Sequence, residues 1–245
     1  MPPAPRQVAL ITGAARRIGR AIALDMACNG FAVGVHYRHS RADADGVVAE
    51  ISAGGGTAVA LDADLGDTKA VARLVERCAE SLGAPPCCLV NNASEFLLDS
   101  IDTLTEDLWD THQTINLKAP VFLAQSMLRL LPLNVEGNIV NIIDQRVWKL
   151  TPDFFSYTIS KAGLWTATRT LAQALAPRIR VNAIGPGPVL QSVHQTPADF
   201  AAEQSSTLLK RGPSPEEIAA AVRFILATPS MTGQMIALDA GQHLS

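Results

Sequence analysis

The sequence has few cysteines and no long apolar run. Its four cysteines show neither C-x-x-C nor Cys/His metal-ligand spacing, so we expect reduced structural thiols rather than a disulfide framework or a zinc site at Cys28, Cys78, Cys87 and Cys88. No stretch of eighteen or more apolar residues occurs, which argues against a membrane-spanning helix. The first residues carry no apolar segment ahead of a cleavage site, so no export signal is expected and a cytoplasmic location is predicted.

An excess of positive charge is also absent. The formal net charge is −3, and the two signs are mixed along the chain without a basic tail or stripe. Neither nucleic acid nor an anionic membrane is therefore an expected partner. The histidines have no metal-ligand spacing either, so no metal is expected at His112, His194 or His243.

Apolar residues, in contrast, are sufficient for one large core. Of the 245 residues 48% are apolar and 18% are charged, which is typical of a globular chain. No internal repeat or low-complexity linker divides the chain, so a single domain over residues 1–245 is predicted. The segment 185–213 has four prolines and no clear period, and we expect a mobile lid over 188–212.

Short runs rich in apolar and β-branched residues alternate with longer segments of helical period. This pattern predicts an α/β fold with a doubly wound parallel sheet of about seven strands and helices on both faces. The strands are predicted at 7–11, 32–37, 57–63, 87–92, 137–143, 179–184 and 234–238. The helices are predicted near 17–29, 43–53, 67–82, 105–131, 154–175 and 214–227. In such folds ligands bind at the carboxyl ends of the strands.

The segment TGAARRIGR (12–20) follows the first predicted strand and opens the first helix. At such a place amide N–H groups and the positive end of the helix dipole suit a dinucleotide pyrophosphate. Gly13 and Gly19 are its conformationally free positions, and Arg17 adds a cation. An ordinary strand-to-helix turn is the alternative.

The second predicted strand ends without the acidic residue that would accept the ribose 2′-hydroxyl of NAD. Instead it ends in donors and a cation, with Asp43 as the first carboxylate, and these residues are His36, Tyr37, Arg38, His39 and Ser40. Arg17 and Arg38 would stabilise a 2′-phosphate, which predicts NADP(H) as the cofactor. Alternatively, Arg38 and Arg41 are solvated loop charges.

Two further strand ends carry candidate contacts to the nucleotide. Asp64 is expected to accept from the adenine amino group or to cap the helix that starts near Asp67. The short side chains of NNAS (91–94) let the backbone run close to a ribose. The remaining cofactor contacts are expected from Ile18, Leu65, Asn92, Ala93, Ser94, Pro186, Gly187 and Val189.

Tyr157 and Lys161 are four residues apart in SYTISKAGL and therefore share one face of a predicted helix. We expect the ammonium group to lower the pKa of the phenol from its reference value of about 10. The phenol would then donate a proton to a carbonyl or imine that receives hydride. A Tyr-x-x-x-Lys pair alone is common by chance.

The full set of motifs resembles the short-chain dehydrogenase/reductase family, whose fold is Rossmann-type. The set comprises TG-x-x-x-x-x-G, NNA, Asn116, Tyr-x-x-x-Lys and GPGPV (185–189), and it spans the chain from about Arg6 to Leu244. The resemblance implies a homotetramer and a proton relay in which Asn116 holds a water. A serine usually stands at the position of Asp144.

The departures from the family majority resemble its pteridine reductase branch, which includes bacterial dihydromonapterin and dihydrofolate reductases. They are Asp144 thirteen residues before Tyr157, Arg17, the HYRHS segment and Phe96. The resemblance implies that Asp144, Tyr157 and Lys161 are catalytic and that Arg17 contacts cofactor phosphate. It also implies that Ser94 lies close to cofactor and substrate, and that Phe96 stacks a pterin against the nicotinamide.

An aspartate suits a nitrogen-rich ring better than a serine does. A carboxylate accepts from ring N–H groups, and a carboxyl group delivers a proton to a ring nitrogen. We therefore expect Asp144 to be partly desolvated, with a raised pKa. The duller alternatives are a capping or loop acid at Asp144 and ordinary packing at Phe96.

The sequence thus predicts an NADPH-dependent reductase that transfers hydride to a C=N bond of a pterin such as dihydromonapterin, dihydrobiopterin or dihydrofolate. The segment 188–212 is the expected substrate-binding loop. The first alternative is a carbonyl or 3-oxoacyl thioester reductase of the same family. The second is a sensor that binds NADP(H) without turnover.

Overall fold

Seven parallel strands form one sheet in the computed structural model, which describes residues 7–245. The strands are β1 (Val8–Ile11), β2 (Ala32–Tyr37), β3 (Ala58–Asp62), β4 (Cys88–Asn91), β5 (Gly137–Ile142), β6 (Ile179–Pro186) and β7 (Met235–Leu238). The helices are α1 (Arg17–Cys28), α2 (Arg41–Ala53), α3 (Thr68–Leu82), α4 (Glu106–Gln113), α5 (Ala119–Leu130), α6 (Phe155–Leu175), α7 (Pro197–Ser206) and α8 (Pro215–Ala227). The order β3-β2-β1-β4-β5-β6-β7 confirms the predicted Rossmann-type doubly wound sheet.

Side chains of β1 alternate between the two faces of the sheet and feed two separate core layers. Ala9 and Ile11 pack in the layer formed by α1 and α8, whereas Val8 and Leu10 pack in the layer formed by α3 and α5. All four residues of β1 are fully buried. Burial on both faces explains why the strands are almost continuously apolar.

The predicted helix over 105–131 is divided in the structure. A π-helical turn, Thr114–Lys118, separates α4 from α5. Such turns are rare and occur frequently at functional sites. This one carries Asn116, which is fully buried.

The segment 185–213 shows no clear period in the sequence, and no helix was predicted in it, yet it contains α7. The helix begins with a capping box, in which Thr196 and Asp199 each accept from the other's backbone N–H, and Pro197 occupies its first turn. None of its side chains is buried. The helix therefore lacks the apolar period from which the other helices were predicted.

The four cysteines form no disulfide within the described chain, and burial raises the pKa of the Cys78 thiol to about 12. Over residues 7–245 the helices are all too short or too polar to cross a membrane.

His36 joins three strand ends from a fully buried position. Its Nδ1 accepts from the N–H of Gly13 at 3.0 Å, so Nε2 carries the proton and donates to the carbonyl of Ala63 at 3.1 Å. The turn after β1, the end of β2 and the residue after β3 are thereby held together. Burial lowers the pKa of His36 to about 4.

This lowered pKa predicts a pH-dependent stability. The unfolded chain binds a proton at His36 below its ordinary pKa of 6.5, whereas the folded chain stays neutral down to about 4. The contribution of His36 to stability is therefore complete above pH 6.5 and is lost as the pH falls towards 4, by up to about 1.4 kcal/mol per pH unit. Urea unfolding of His36→Gln between about pH 4.5 and pH 7 should show a smaller dependence on pH than the wild type.

The matched control is His39→Gln, because His39 is exposed. This variant should retain the pH dependence of the wild type. Equal pH dependence in all three proteins would contradict the role given to His36.

Candidate active site

Two adjoining cavities open at the carboxyl edge of the sheet. The first, which we call the β1 cavity, has a volume of about 410 Å³ and lies among the turns that follow β1 to β4. The second, the β5 cavity, has a volume of about 490 Å³ and lies between the ends of β5 and β6, the start of α6, and α7. Both cavities are lined by Arg17, Ile18, Asn92 and Ser94. The strand order reverses between β1 and β4, so the β1 cavity occupies the switch point of the sheet.

The turn after β1 depends on two glycines. Gly13 has a φ of +63°, and a Cβ on Gly19 would lie 2.1 Å from the carbonyl oxygen of Gly13. Asn92, at the end of β4, donates from Nδ2 to the carbonyl of Thr12 at 2.9 Å. The turn is therefore compact and fixed to the neighbouring strand, and the first residues of α1 line the cavity.

Most of the predicted cofactor residues line the β1 cavity. These residues are Gly13, Arg17, Ile18, Gly19, His36, Arg38, His39, Ser40, Asp64, Leu65, Asn92, Ala93 and Ser94. Tyr37 is buried in the core layer of α1 and does not line the cavity, so its contact to the cofactor stays a prediction. Pro186, Gly187 and Val189 line the β5 cavity instead. The β1 cavity is also lined by residues that were not predicted from the sequence, namely Arg16, Ala63, Glu95 and Ile115.

The arginines at the β1 cavity already have protein partners. Arg38 forms an ion pair with Glu95, with 2.9 Å between Nη1 and Oε1. Arg17 donates from its guanidinium group to the carbonyls of Leu190 and Gln191, at 3.0 Å each. The glycine turn is thereby tied to the segment that leads into α7.

The structure bears on two alternatives left open by the sequence, the solvated-charge interpretation of Arg41 and the helix-capping role of Asp64. Arg41 is exposed, pairs with Asp45 and lines neither cavity, so it is a solvated charge, but it lies on the first residue of α2 rather than in a loop. Arg38 does line the β1 cavity. Asp64 accepts from the N–H of Gly66 at 2.8 Å, and it is Asp67 that caps α3. The alternative in which Asp64 caps this helix is therefore wrong.

In the β5 cavity, Tyr157 donates a hydrogen bond to Asp144, with 2.9 Å between Oη and Oδ2. The other carboxylate oxygen of Asp144 accepts from the N–H of Arg146 at 2.8 Å, so Asp144 also caps the short 3₁₀ turn that follows β5. Lys161 donates from Nζ to the carbonyl of Ile142 at 2.9 Å. The structure thus brings Asp144, Tyr157 and Lys161 into one cavity wall.

Burial shifts the pKa values of this group. It raises the pKa of Asp144, as expected, against the opposing effect of the Arg146 N–H. The expected lowering of the Tyr157 pKa is wrong, because burial and the adjacent Asp144 raise it well above 10. The Lys161 ammonium lies 5.7 Å from the ring centroid of Tyr157. Burial lowers the pKa of Lys161 to about 8.

The side chain of Asn116 is fully engaged with protein groups. Its Nδ2 donates to the carbonyl of Glu95 and to Ser160 Oγ, and its Oδ1 accepts from the Glu95 N–H and from Ser94 Oγ, all within 3.1 Å. It therefore fixes the chain segment after β4. A relay water at this position would need another acceptor, such as a backbone carbonyl of the π-helical turn.

Phe96 lies in the wall of the β5 cavity, where it belongs to an aromatic cluster. It stacks on Phe154 with 4.2 Å between ring centroids, and its ring meets Tyr157 edge-on at 4.7 Å. His194 contacts the carbonyl of Phe96 at 2.9 Å. The side chain is thus both a packing residue and part of the cavity surface.

Other residues of the β5 cavity were not found from the sequence. They include Gln145, Arg146, Phe154, His194, Glu203 and Gln242. Phe154 lies three residues before Tyr157, but its type gives no sign of a site, and only its backbone φ of +55° marks it as unusual. Over residues 7–245, His, Cys, Asp and Glu side chains form no group of three or more that could hold a metal ion.

Two similar solved structures are those of reductases. The structure of FolM alternative dihydrofolate reductase 1 from Brucella canis, complexed with NADP, is 50% identical, with a TM-score of 0.95 over 98% of this chain and 94% of that chain. The angucycline C-6 ketoreductase LanV with bound NADP is 31% identical, with a TM-score of 0.90 over 98% of this chain and 96% of that chain.

Comparisons of the amino-acid sequence also find reductases. The 3-oxoacyl-[acyl-carrier-protein] reductase of Synechocystis sp. is 33% identical over 96% of each chain. A family model described as enoyl-(acyl carrier protein) reductase matches residues 13–243. Together with the Tyr157 and Lys161 pair and the glycine turn, these matches show that the chain belongs to the short-chain dehydrogenase/reductase family.

Proposed function

We propose that this protein is an NADPH-dependent reductase that transfers hydride to a C=N bond of a pterin. The observation that carries the proposal is the hydrogen bond between Tyr157 and Asp144 in a cavity walled by Phe96. The 50% identity to the Brucella alternative dihydrofolate reductases supports it.

NADP(H) would bind in the β1 cavity and extend into the β5 cavity. The glycine turn would hold the pyrophosphate, and Arg38, His39 and Ser40 surround the expected place of the 2′-phosphate. Several similar structures contain NADP or NADPH, which supports this choice of cofactor. Arg38 would then share its charge between the phosphate and Glu95.

When bound, NADPH supplies the hydride. The raised pKa of Asp144 makes this carboxyl group suited to protonate a ring nitrogen, directly or through one water, as the neighbouring carbon receives the hydride. Tyr157, which stays protonated, donates to Asp144 and completes the proton-carrying pair. Lys161 would position the nicotinamide ribose.

The carboxyl group at position 144 favours a nitrogen acceptor over a ketone. One hydroxyl is enough to bind a carbonyl oxygen, whereas a pterin presents several ring N–H and amino donors that a carboxylate accepts. Phe96 offers an aromatic surface for a flat heterocycle. The segment 188–212, which includes α7, would act as the substrate-binding loop of a single reductase domain.

A carbonyl or 3-oxoacyl thioester reductase is the second candidate. The observations that favour it are the 3-oxoacyl-[acyl-carrier-protein] reductases at 31–33% identity and the ketoreductases at about 30%. A sensor that binds NADP(H) without turnover is the third. The retained Tyr157 and Lys161 argue against it, because binding alone does not require them.

By family resemblance, we also propose a cytoplasmic homotetramer. Exposed apolar side chains close to α4, α5 and α6 support an interface there, namely Ile101, Phe122 and Ile159.

NADPH oxidation with four acceptors side by side tests the function. We expect turnover of 7,8-dihydromonapterin, dihydrobiopterin or dihydrofolate to exceed turnover of an acetoacetyl thioester. Turnover of the thioester alone would contradict the pterin proposal. NADPH binding without any turnover would favour the sensor.

Asp144→Asn should lower kcat/KM for the pterin by about 10²–10⁴-fold, because the amide cannot deliver the proton. In the wild type, kcat/KM should fall as the pH rises through the raised pKa of Asp144, since only the protonated form is an acid. The variant should lack this decline. A rate and pH profile equal to those of the wild type would remove the role of Asp144.

Arg38→Ala should weaken NADPH binding by about 10–100-fold and leave NADH binding nearly unchanged, because a charge-assisted bond to the 2′-phosphate is lost. Fluorescence titration of both dinucleotides measures this. Arg41→Ala is the control, as Arg41 is a solvated arginine in the same part of the chain. Equal losses for NADPH and NADH would count against a 2′-phosphate contact.

A further inference from the structure

Three buried polar side chains lie behind the aromatic cluster, outside both cavities. Asp99, His112 and Ser156 are 2%, 0% and 0% exposed, and none of them lines either cavity. They come from three different parts of the chain, namely the segment after β4, α4 and the first turn of α6. The reaction proposed above gives them no role.

Hydrogen bonds join the three in a defined direction. His112 Nε2 accepts from the N–H of Leu97 at 3.2 Å, so Nδ1 carries the proton and donates to Ser156 Oγ at 2.6 Å. The Ser156 hydroxyl in turn donates to a carboxylate oxygen of Asp99. Burial lowers the pKa of His112, which favours this neutral tautomer.

Asp99 also caps the helix that carries Tyr157 and Lys161. The residue at the N-cap position of α6 is Phe154, whose side chain accepts no hydrogen bond. Asp99 accepts instead from the N–H of Ser156 at 3.1 Å, and its carboxylate lies at the positive end of the helix dipole. The cap of α6 is therefore supplied by a residue more than fifty positions away in the sequence.

The choice of phenylalanine at position 154 has a cost in stability. Its φ of +55° is a left-handed conformation, which is strained for a residue with a side chain, and the helix is left without a local cap. In return, its ring stacks on Phe96 in the cavity wall. Asp99 restores the missing cap and thereby makes this arrangement tolerable.

The same contacts fix the short segment that carries Phe96. Asp99 lies three residues after Phe96. Leu97, whose N–H donates to His112, is the residue directly after Phe96. On the other side, Ser156 is adjacent to Tyr157. The network therefore connects the neighbours of Phe96 to the neighbour of Tyr157, whose rings are 4.7 Å apart.

We infer that Asp99, acting through Ser156 and His112, is a positioning residue that sets the place of Phe96 relative to Tyr157 and hence orients the acceptor ring. The inference rests on the proposed function for the identity of that ring. Asp99 touches neither substrate nor cofactor, so its loss should impair the productive orientation of the acceptor and leave dinucleotide binding intact.

The test compares Asp99→Ala, Asp99→Asn and Ser156→Ala with the control Asp67→Ala. Asp67 caps α3 through the N–H of Lys69 at 2.8 Å, so this control removes a helix cap at a place with no link to Phe96. We expect Asp99→Ala to lower kcat/KM for the preferred pterin by about 10–100-fold, because small misplacements are costly to a reaction. The Kd for NADPH should stay within about twofold of wild type.

Asp99→Asn should recover part of the loss, since its amide oxygen still accepts from the Ser156 N–H. Asp67→Ala should lower Tm and keep kcat/KM within about twofold. A kcat/KM for Asp99→Ala that matches Asp67→Ala, or an equal loss in NADPH affinity, would overturn the inference. If Asp99→Ala does not fold, wild-type kcat/KM in both Asp99→Asn and Ser156→Ala would overturn it.

Failure of the proposed function has a separate signature. A wild-type protein that reduces the acetoacetyl thioester and no pterin contradicts the pterin proposal. The same variant series, measured with the thioester, then decides the role of Asp99.

Discussion

All seven strands run in one direction, and the arrangement of the site depends on this constraint. Because the carboxyl ends of parallel strands meet at one edge, residues from distant parts of the chain come together there without long loops. Gly13 follows β1, Asn92 follows β4 and Asp144 follows β5, and all three reach the same pair of cavities. The reversal of strand order at β1 and β4 opens the space that these residues line.

Buried polar side chains then hold the strand ends in register. His36 joins the ends of β1, β2 and β3, and Asn116 fixes the chain after β4 with three hydrogen bonds. Asp99 joins that chain to α6. These groups stabilise the loops around the cavities, which are the parts of an α/β protein with the least apolar packing.

The sequence predicted the sheet, the strand ends and most of the residues at the cavities, because apolar periodicity and short motifs are local signals. It did not predict α7, whose side chains are all at least partly exposed, although the Thr196 and Asp199 capping box was readable. The spacing of Tyr157 and Lys161 could not predict the direction of the Tyr157 pKa shift. A four-residue interval places Lys161 on the same face, but the burial of Tyr157 and the adjacent Asp144 raise the pKa of the phenol instead.

Contacts between residues far apart in the chain could not be predicted from the sequence either. The replacement of a local cap by Asp99 and the left-handed backbone of Phe154 depend on the folded chain, since neither residue type signals its role locally. The sequence therefore identified the groups proposed for the chemistry and missed Asp99 and Phe154.

The two hydrogen bonds from Arg17 to the carbonyls of Leu190 and Gln191 have a practical consequence for redesign. A substitution of Arg17 made to change the preferred dinucleotide also releases the chain over the neighbouring cavity. We therefore expect nucleotide selectivity and acceptor selectivity to be coupled through Arg17 in this protein. Libraries that vary one of them should either keep Arg17 or be screened for both.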